Sequence, residues 1–305
     1  MGKPASFGRP PDAGLKSLPA PTLAHWGLAP SAAYLPAPGE RAARWRMKLF
    51  IENRTLHGYA QTRNLPAGTG TSRLGQDLRF GLISIRELYH RCVSAAAEAG
   101  PAGGSIETYL KELAWREFYM AVLWHHPGVF DEEFAPEFRG MSWPGTDAHF
   151  DVWSQGRTGF PIVDAGIRQL LATGFMHNRV RMIVSMFLTK DLHCHWRLGE
   201  SFFMQHLVDG EIASNNGGWQ WSAGTGADAA PYFRIQNPWT QTKNHDPDGA
   251  YIRAWVPELK DVPAGRFLAP PKDGRPIAPG YPLPMVDHAT ERGGTLALFA
   301  KHRSR

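Results

Sequence analysis

The sequence predicts a mainly α-helical protein, and three features of the chain indicate this class. Apolar residues recur at helical spacings in several long segments. Residues that start and stop helices flank these segments, for example Pro161 before one of them and Gly174 after it. The sequence contains no alternating strand pairs and no internal repeat. With 305 residues, of which 43% are hydrophobic, the chain can bury a large core in one domain or two.

The first helices follow a segment of different composition. Residues 1–40 are rich in Pro, Ala and Gly, which favours an irregular arm. Helical patterning then runs through Ala42–Leu56. Ser84 and Glu87 have the spacing of a capping box, which predicts a helix over Ile85–Ala99.

The remaining helices are separated by glycine and proline. Ser105 begins a long amphipathic helix that ends before Pro127, and another helix is predicted over Asn178–Leu192. One face of this last helix is apolar, with Val180, Ile183, Val184 and Phe187, and a second face carries Asn178, Arg181, Met182 and Ser185. The chain becomes Pro-rich again after Glu258, and we expect one helical domain over 41–305.

The most unusual stretch is Asp209–Phe233, DGEIASNNGGWQWSAGTGADAAPYF. It has little apolar periodicity, and paired glycines stand next to two tryptophans. Glycine beside large aromatic rings indicates backbone that lies close to a flat group. On composition alone, the better interpretation is a Gly-rich surface loop whose Trp side chains fill the core.

Composition and charge limit the function. The 33 basic and 28 acidic residues give a net charge of +5. This charge suits a partner that carries phosphates but does not require one. The two cysteines, Cys92 and Cys194, have no paired spacing, which argues against a disulfide scaffold or zinc ribbon and fits a reducing cytoplasm. No apolar run approaches the ~18 residues of a membrane span, so we expect a cytoplasmic protein without a membrane partner.

Several long motifs occur in one order along the chain. They are ELAWREFY at Glu112–Tyr119, TGFPIVDAGIRQL at Thr158–Leu170, GFMHNRVRM at Gly174–Met182, FLTKDL at 187–192, and DGEIASNNGGWQWSAGTGADAAPYFRIQNP at Asp209–Pro238. With these motifs the chain resembles the cryptochrome/photolyase family over roughly residues 40–260 and 280–303. The resemblance implies a single all-helical FAD-binding domain of the photolyase type, with Pro-rich N- and C-terminal extensions. It also implies a C-terminal wrap from about residue 261, since YPLPMVDH at Tyr281–His288 resembles that part of the family.

The resemblance assigns a set of residues to a U-shaped FAD. Arg181 and Asp209 match the ion pair beside the isoalloxazine ring, Asn215 matches the residue that faces flavin N5, and Glu211 is expected to accept from flavin N3–H. The segments that would hold the phosphates and the ribityl chain, and the other cofactor residues, are Tyr59, Thr71, Ser72, Arg73, Leu74, Arg116 and Asn178. Two departures from the family pattern are Gly75, where Ser is usual, and Glu211, where Asp is usual.

A second set matches the residues that bind DNA and its lesion. Glu112, Trp115 and Trp221 resemble those that bracket a flipped-out pyrimidine dimer, and Asn178 and Met182 complete the pocket. The (6-4) photolyases have histidines at these last two positions, so the chain resembles the enzymes that act on cyclobutane dimers. Arg63, Arg179 and Arg234 match residues near the phosphates of the damaged strand, although each taken alone is as well explained as surface charge.

Three tryptophans, Trp219, Trp196 and Trp143, match the relay that carries electrons from the surface to the excited flavin. A lone Trp is more often core packing, but all three fall at matching positions. His193, Cys194 and His195 are adjacent and have no partner cluster in the sequence, so we predict no metal site.

The expected function is therefore light-driven repair of cyclobutane pyrimidine dimers in single- or double-stranded DNA by a monomeric flavoprotein. Residues 1–40 are too few to encode the α/β antenna domain of full-length relatives. Either the protein works without a second antenna chromophore, so that none is expected, or the antenna domain has been removed. Two alternatives remain open: a blue-light receptor of the cryptochrome type that does not repair DNA, and a DNA-binding flavoprotein without catalysis.

Overall fold

The computed structural model describes residues 19, 21–29, 33–53, 55–100, 103–227, 234–272 and 274–303. It divides into two compact units, residues 1–32 and residues 33–305. In the first unit, Ala24–Trp26 form one exposed 3-10 turn. Residues 1–18 of the predicted Pro-rich arm and residues 228–233 of the unusual stretch lie outside the described residues.

In the described part of the second unit, helices and turns are the only regular structure, which confirms the mainly α prediction. The α-helices are α1 (Glu40–Glu52), α2 (Tyr59–Thr62), α3 (Gly75–Arg79), α4 (Ile85–Glu98), α5 (Gly103–His125), α6 (Asp147–Ser154), α7 (Pro161–Thr173), α8 (Asn178–Met186), α9 (Trp196–His206), α10 (Ile212–Ala223), α11 (Pro238–His245), α12 (Ala250–Trp255) and α13 (His288–Arg303). Short 3-10 turns cover Pro127–Phe130, Pro136–Phe138, Pro257–Leu259 and Ala264–Phe267. None of the described helices is both long and apolar enough to cross a membrane.

Two large apolar clusters and a small one around Phe138 and Phe299 stabilise the described part of this unit. The largest contains side chains from α6 to α12, with fully buried Trp153 and Trp196 among them. The smaller of the two large clusters contains side chains from α1, α2, α4 and α5, including Phe50, Tyr59 and Tyr109. Helix α10 packs against α5, α8 and α9, and α2 packs against α5. The helices that carry most of the predicted site residues are therefore neighbours.

The predicted helix termini are partly correct. Pro161 is the first residue of α7, and Gly174 ends α7 in the left-handed conformation with φ 65°, as the sequence predicts. The prediction of a capping box before α4 is wrong, because the Ser84 side chain makes no capping hydrogen bond. The Glu87 carboxylate instead binds Arg44 and Arg91, so longer-range ion pairs compete successfully for it.

The predicted helix after Asn178 has an internal change of pitch. Helix α8 ends at Met186, and a π-helical turn continues it over Phe187–Asp191. The apolar face is buried as predicted. On the second face Ser185 is also buried, and its hydroxyl donates to the carbonyl oxygen of Arg181 and hydrogen-bonds the Ser222 hydroxyl of α10 at 2.7 Å. That position therefore joins two helices and does not face a ligand.

The interpretation of the Trp-rich stretch as a loop is wrong over Ile212–Ala223, which form α10. The Glu211 carboxylate accepts from the backbone N–H groups of Ala213 and Ser214 and so caps the helix. A Cβ atom on Gly217 would lie 2.0 Å from Cδ1 of Tyr119 on α5. Glycine is thus required by close helix packing and not by a turn.

Candidate functional site

The centre of the candidate site is an ion pair between α8 and the segment that precedes α10. Arg181 Nη2 lies 2.9 Å from each carboxylate oxygen of Asp209, and Arg181 Nε donates to the Met176 carbonyl oxygen at 2.7 Å. Next to the pair, the backbone N–H of Val208 donates to the carbonyl oxygen of Gly174 at 2.8 Å. Since side-chain and backbone contacts hold both partners, the pair presents a cation in a fixed position.

Gly75, the first residue of α3, leaves the space that Asp209 occupies. A Cβ atom on Gly75 would lie 2.7 Å from Oδ2 and 2.9 Å from Cβ of Asp209. The family pattern identifies this position only as a missing hydroxyl. The structure adds a contact between distant parts of the chain, since any larger residue here would push against the carboxylate that binds Arg181.

His177, which the sequence analysis did not select, lies beside this ion pair. It is 3% exposed, and its Nδ1 accepts from the backbone N–H of Arg179, which places the ring proton on Nε2. Among the described residues Nε2 has no partner. Burial, followed by the charges of Arg181, Arg179 and Arg73, lowers the pKa of His177 to about 4. The ring is therefore a neutral, buried donor among cations, available to an acceptor.

The segment Thr71–Leu74 forms a tight connection into α3. Arg73 has φ 49°, and its guanidinium lies 4.4 Å from the ring centroid of Phe175. The backbone N–H of Leu74 lies 3.4 Å from the Ser72 hydroxyl, and the Leu74 side chain is buried in the smaller core. Thr71 and Ser72 are half-buried, so the hydroxyls of this segment, not the Leu74 side chain, are placed for binding.

Tyr59 and Arg116 occupy different environments. Tyr59 is buried, with the Arg63 guanidinium 5.3 Å from its ring centroid, and burial followed by the charge of Glu112 raises its pKa to about 12. Its hydroxyl therefore remains protonated. Arg116 pairs with the exposed Glu117 at 3.0 Å, a contact of the solvent-screened kind that contributes little and yields easily to another anion.

Asn215 and Glu211 are both fixed within the protein. Asn215 Nδ2 donates to the Glu200 carbonyl oxygen at 3.0 Å, which leaves the amide oxygen as the free acceptor. Glu211 uses both carboxylate oxygens to cap α10. The Ser214 hydroxyl also donates to Oε2, at 2.8 Å. Since a carboxylate offers about four acceptor positions, these three donors leave capacity for one more.

The polar residues matched to the lesion and DNA form a connected group. Arg63 Nη1 lies 2.6 Å from Glu112 Oε1. Arg179 donates to Asn64 Oδ1 from Nε at 3.2 Å and Nη2 at 2.8 Å, and its Nη1 lies 3.5 Å from Met182 Sδ. Burial, and then the charge of Arg63, lowers the pKa of Arg179, so these two cations are close. Asn64 is a member that no sequence pattern indicated.

The aromatic members are more exposed. Trp115 on α5 is 52% exposed, with its ring centroid 5.3 Å from that of Phe118. Trp221 on α10 is half-buried, and the guanidinium of the exposed Arg234 lies 5.7 Å from its ring centroid. Asn178 is exposed at the first position of α8. Large accessible rings next to arginines are suited to stacking on bases near phosphates.

The tryptophans matched to the relay lie in the larger core or against it. Trp219 is buried and packs closely against α9, at Gly199. A Cβ atom on Gly199 would lie only 2.0 Å from Cη2 of Trp219. Trp196 begins α9, one turn before Gly199, and is fully buried. The half-buried Trp143 contacts the His195 ring at a centroid distance of 5.5 Å, and His195 contacts Trp196 at 5.7 Å.

The three adjacent residues His193–His195 have separate structural contacts. His193 Nε2 lies 2.7 Å from Glu291 Oε2, Cys194 is buried, and His195 Nδ1 accepts from the backbone N–H of Arg197 to cap α9. No group of three metal-ligating side chains occurs in the part of the chain that the structure describes.

The residues around Arg181 and Asp209 fit FAD. The unpartnered Nε2 of His177 and the arginines around it provide donors and positive charge for a diphosphate. The side chains of Thr71, Ser72, Arg181, Asp209 and Asn215 are half-buried, so part of each is accessible to a ligand. The set contains hydroxyl donors, a fixed cation and an amide acceptor, which match the polar groups of a flavin dinucleotide.

Comparisons with known proteins agree with this chemistry. Residues 109–301 match a family model described as the FAD binding domain of DNA photolyase. A deoxyribodipyrimidine photo-lyase of Halobacterium salinarum is 42% identical over 291 residues, which are 93% of this chain and 60% of that protein.

Solved structures are also similar. A bacterial class III photolyase from Agrobacterium tumefaciens superposes with a TM-score of 0.86 and 38% identity, covering 95% of this chain and 63% of that chain. A cryptochrome of Synechocystis sp. PCC6803 superposes with a TM-score of 0.82 and 29% identity, covering 93% of this chain and 61% of that chain. The chain thus spans about half to 60% of the length of the curated relatives that it matches.

Proposed function

The chain belongs to the cryptochrome/photolyase family, and we propose on that basis that it repairs cyclobutane pyrimidine dimers in DNA when illuminated. The observation that most supports the proposal is that α8 carries residues of both predicted groups. Arg181, with Asp209, lies in the group that fits FAD, and Arg179 and Met182, on the same helix, lie in the group matched to the lesion.

The proposed cofactor site uses the donors described above. FAD is the cofactor of this domain, and when bound and reduced it supplies the light-excited electron that opens the dimer. Arg181 would neutralise negative charge at the flavin ring, and Asn215 would offer its amide oxygen to a ring N–H. Thr71, Ser72, Arg73 and Arg116 would hold the phosphates, with Tyr59 as a protonated donor nearby.

In the lesion site, the flat rings of Trp115 and Trp221 would stack on a dimer flipped out of the duplex. Glu112 would accept from the N–H edge of its bases, with Asn178 and Met182 completing the wall. Arg63, Arg179 and Arg234 would bind phosphates of the damaged strand, whether single- or double-stranded. Around a bound lesion, these groups would exclude water from the space in which the electron moves.

Trp219, Trp196 and Trp143 would pass electrons inward to restore reduced FAD. Repair itself returns the electron to its donor, so the relay serves only to prepare the cofactor. Substituting one of the three should therefore slow reduction under blue light and leave the repair activity of chemically reduced protein unchanged.

The experiment that tests the proposal is repair of an oligonucleotide with one thymine dimer under near-UV light, with a dark control. Repair in both conditions or in neither would contradict it. Glu112→Ala and Trp115→Ala should weaken damaged-DNA binding or repair while FAD stays bound. Matched controls on the same helix are Glu107→Ala and Trp124→Ala, since both residues are exposed and outside the site.

A blue-light receptor without repair is the second candidate, favoured by the similarity to the Synechocystis cryptochrome. Both functions require FAD and the tryptophan relay. They differ in the lesion site, so a yellow, photoreducible protein that leaves thymine dimers intact in the light would identify the receptor.

A further inference from the structure

The indole N–H groups of the three relay tryptophans have different environments. Nε1 of Trp219 and Nε1 of Trp143 are buried and have no hydrogen-bond partner among the described residues. Nε1 of Trp196 donates to Glu133 Oε1 at 3.2 Å. The middle tryptophan alone of these three thus contacts a carboxylate through its indole nitrogen.

Glu133 is an unusual residue for its position. It lies outside any helix, yet it is 5% exposed, and glutamate is rarely buried without a partner. The segment that contains Glu133 is fixed against α10 and the residues that follow it. The backbone N–H of Phe134 donates to Gln220 Oε1 at 2.7 Å, and that of Ala135 donates to the Thr225 carbonyl oxygen at 3.0 Å. The carboxylate is therefore held against Trp196 by contacts that do not involve Trp196.

The other charges near Trp196 are more remote or better screened. The Arg197 guanidinium lies 5.7 Å from its ring centroid, but its side chain is 40% exposed and lies 3.5 Å from the Asp131 carboxylate. The His195 ring contacts Trp196, and burial is the main cause that lowers its pKa, with Glu133 opposing. A buried carboxylate that accepts a hydrogen bond from the indole has a larger electrostatic effect on the Trp196 ring than a solvent-screened cation at the ring face.

We propose that Glu133 makes Trp196 easier to oxidise than Trp219, so that the positive charge moves away from the tryptophan next to the flavin. An indole that loses an electron becomes a cation, and its N–H becomes a stronger donor, so a negative acceptor at Nε1 stabilises that state. The inference rests on the proposed relay. In this role Glu133 acts through Trp196, by the hydrogen bond to its indole nitrogen.

The electron balance of the step is simple. Trp219, after it has given an electron to light-excited FAD, is the oxidant, and Trp196 is the reductant. One electron passes from the Trp196 ring to Trp219, and the positive charge moves to Trp196. The proton stays in the N–H···O hydrogen bond with Glu133. An electron from Trp143 later neutralises Trp196, so no bond is broken at Glu133.

The test uses Glu133→Gln in FAD-loaded protein, with Glu132→Gln as the matched control. The amide of the substituted side chain keeps an oxygen that can accept from Trp196, so the change removes only the charge. Glu132 is the preceding residue and loses the same charge, but its carboxylate pairs with Arg139 at the surface, 3.0 Å away. Flash absorption would measure the fraction of flashes that leave a tryptophan radical after charge recombination. We expect this fraction to fall at least threefold in E133Q and to be unchanged in E132Q.

A second measurement does not depend on photochemistry. The indole ¹H–¹⁵N resonance of Trp196, assigned by its loss in Trp196→Phe, should move upfield in E133Q and not in E132Q, since the hydrogen bond to a neutral acceptor is weaker. Glu133→Asp, which retains the charge, should give a radical fraction closer to wild type than E133Q. Thermal melts of all variants would identify any unfolding.

The outcomes separate this inference from the relay itself. If Trp196→Phe photoreduces as well as wild type, the relay is wrong and the inference with it. If Trp196→Phe loses photoreduction while E133Q matches E132Q, the relay stands and the tuning role of Glu133 is wrong. If E133Q and E132Q lose radical yield equally, the effect is one of general charge, which also overturns the inference.

Discussion

The adjacent glycines of α10 provide a matched pair for testing the helix packing. A Cβ atom on Gly217 would lie 2.0 Å from Cδ1 and 2.2 Å from Cε1 of Tyr119, whereas a Cβ atom on Gly218 has nothing within 4 Å. Both residues lie inside the same helix, so Gly→Ala brings each the same gain in helix propensity, roughly 1 kcal/mol. Overpacking typically costs about 1–3 kcal/mol, and only Gly217→Ala incurs it.

The difference between the two variants therefore isolates the steric cost. We expect Gly218→Ala to be slightly more stable than wild type and Gly217→Ala to be about 1–3 kcal/mol less stable than Gly218→Ala. At about 2 °C per kcal/mol for a domain of this size, the two melting temperatures should differ by about 2–6 °C. Circular dichroism at 222 nm during heating measures this difference directly.

A functional effect should accompany the change in stability. The Tyr119 ring centroid lies 6.1 Å from that of Trp115, so displacing Tyr119 also moves a ring assigned to the lesion. Gly217→Ala should bind damaged DNA less tightly than Gly218→Ala. Equal melting temperatures for the two variants would refute the reasoning, because they would show that α5 and α10 can separate at no cost.

Two further predictions concern other sites. Gly75→Val should displace Asp209 from Arg181 and lower the flavin content of the purified protein, read from the visible absorption, whereas Gly104→Val, with nothing within 4 Å of its Cβ, should not. Equal flavin content in both would contradict the steric argument. The pKa of His177 falls from 6.5 to about 4 on folding, so the unfolded chain binds its proton first. Stability should then be lost as pH falls from 6.5 to 4, by up to about 3 kcal/mol. The stability difference between wild type and His177→Gln should shrink over this range, and a constant difference would argue against the assignment.

The helical class and several helix ends followed from local sequence. Pro161 and Gly174 mark α7 because proline fits a first turn and glycine fits the left-handed residue after a helix, and both effects depend on nearest neighbours. The family assignment came from long motifs and is confirmed by the comparisons. The individual roles of the site residues remain predictions.

Features that depend on distant contacts could not be read from sequence. The stretch around Gly217 resembled a loop because glycine has poor helix propensity, and only the Tyr119 ring on α5 explains why glycine stands there inside a helix. Glu87 looked like a capping residue until its partners on α1 and α4 were known. Asn64 gave no signal, since its partner Arg179 lies far along the chain.

The ion pair between Arg63 and Glu112 makes two positions behave as one thermodynamic unit. Arg63 also lies close enough to Arg179 to lower its pKa, so removing the Glu112 carboxylate leaves two guanidinium groups that repel each other. Removing Arg63 leaves the Glu112 carboxylate without its cation but also removes the repulsion between Arg63 and Arg179. Alanine at both positions should consequently cost less than the two single changes added together. Substitutions at either position would then be tolerated best when the other position changes with it.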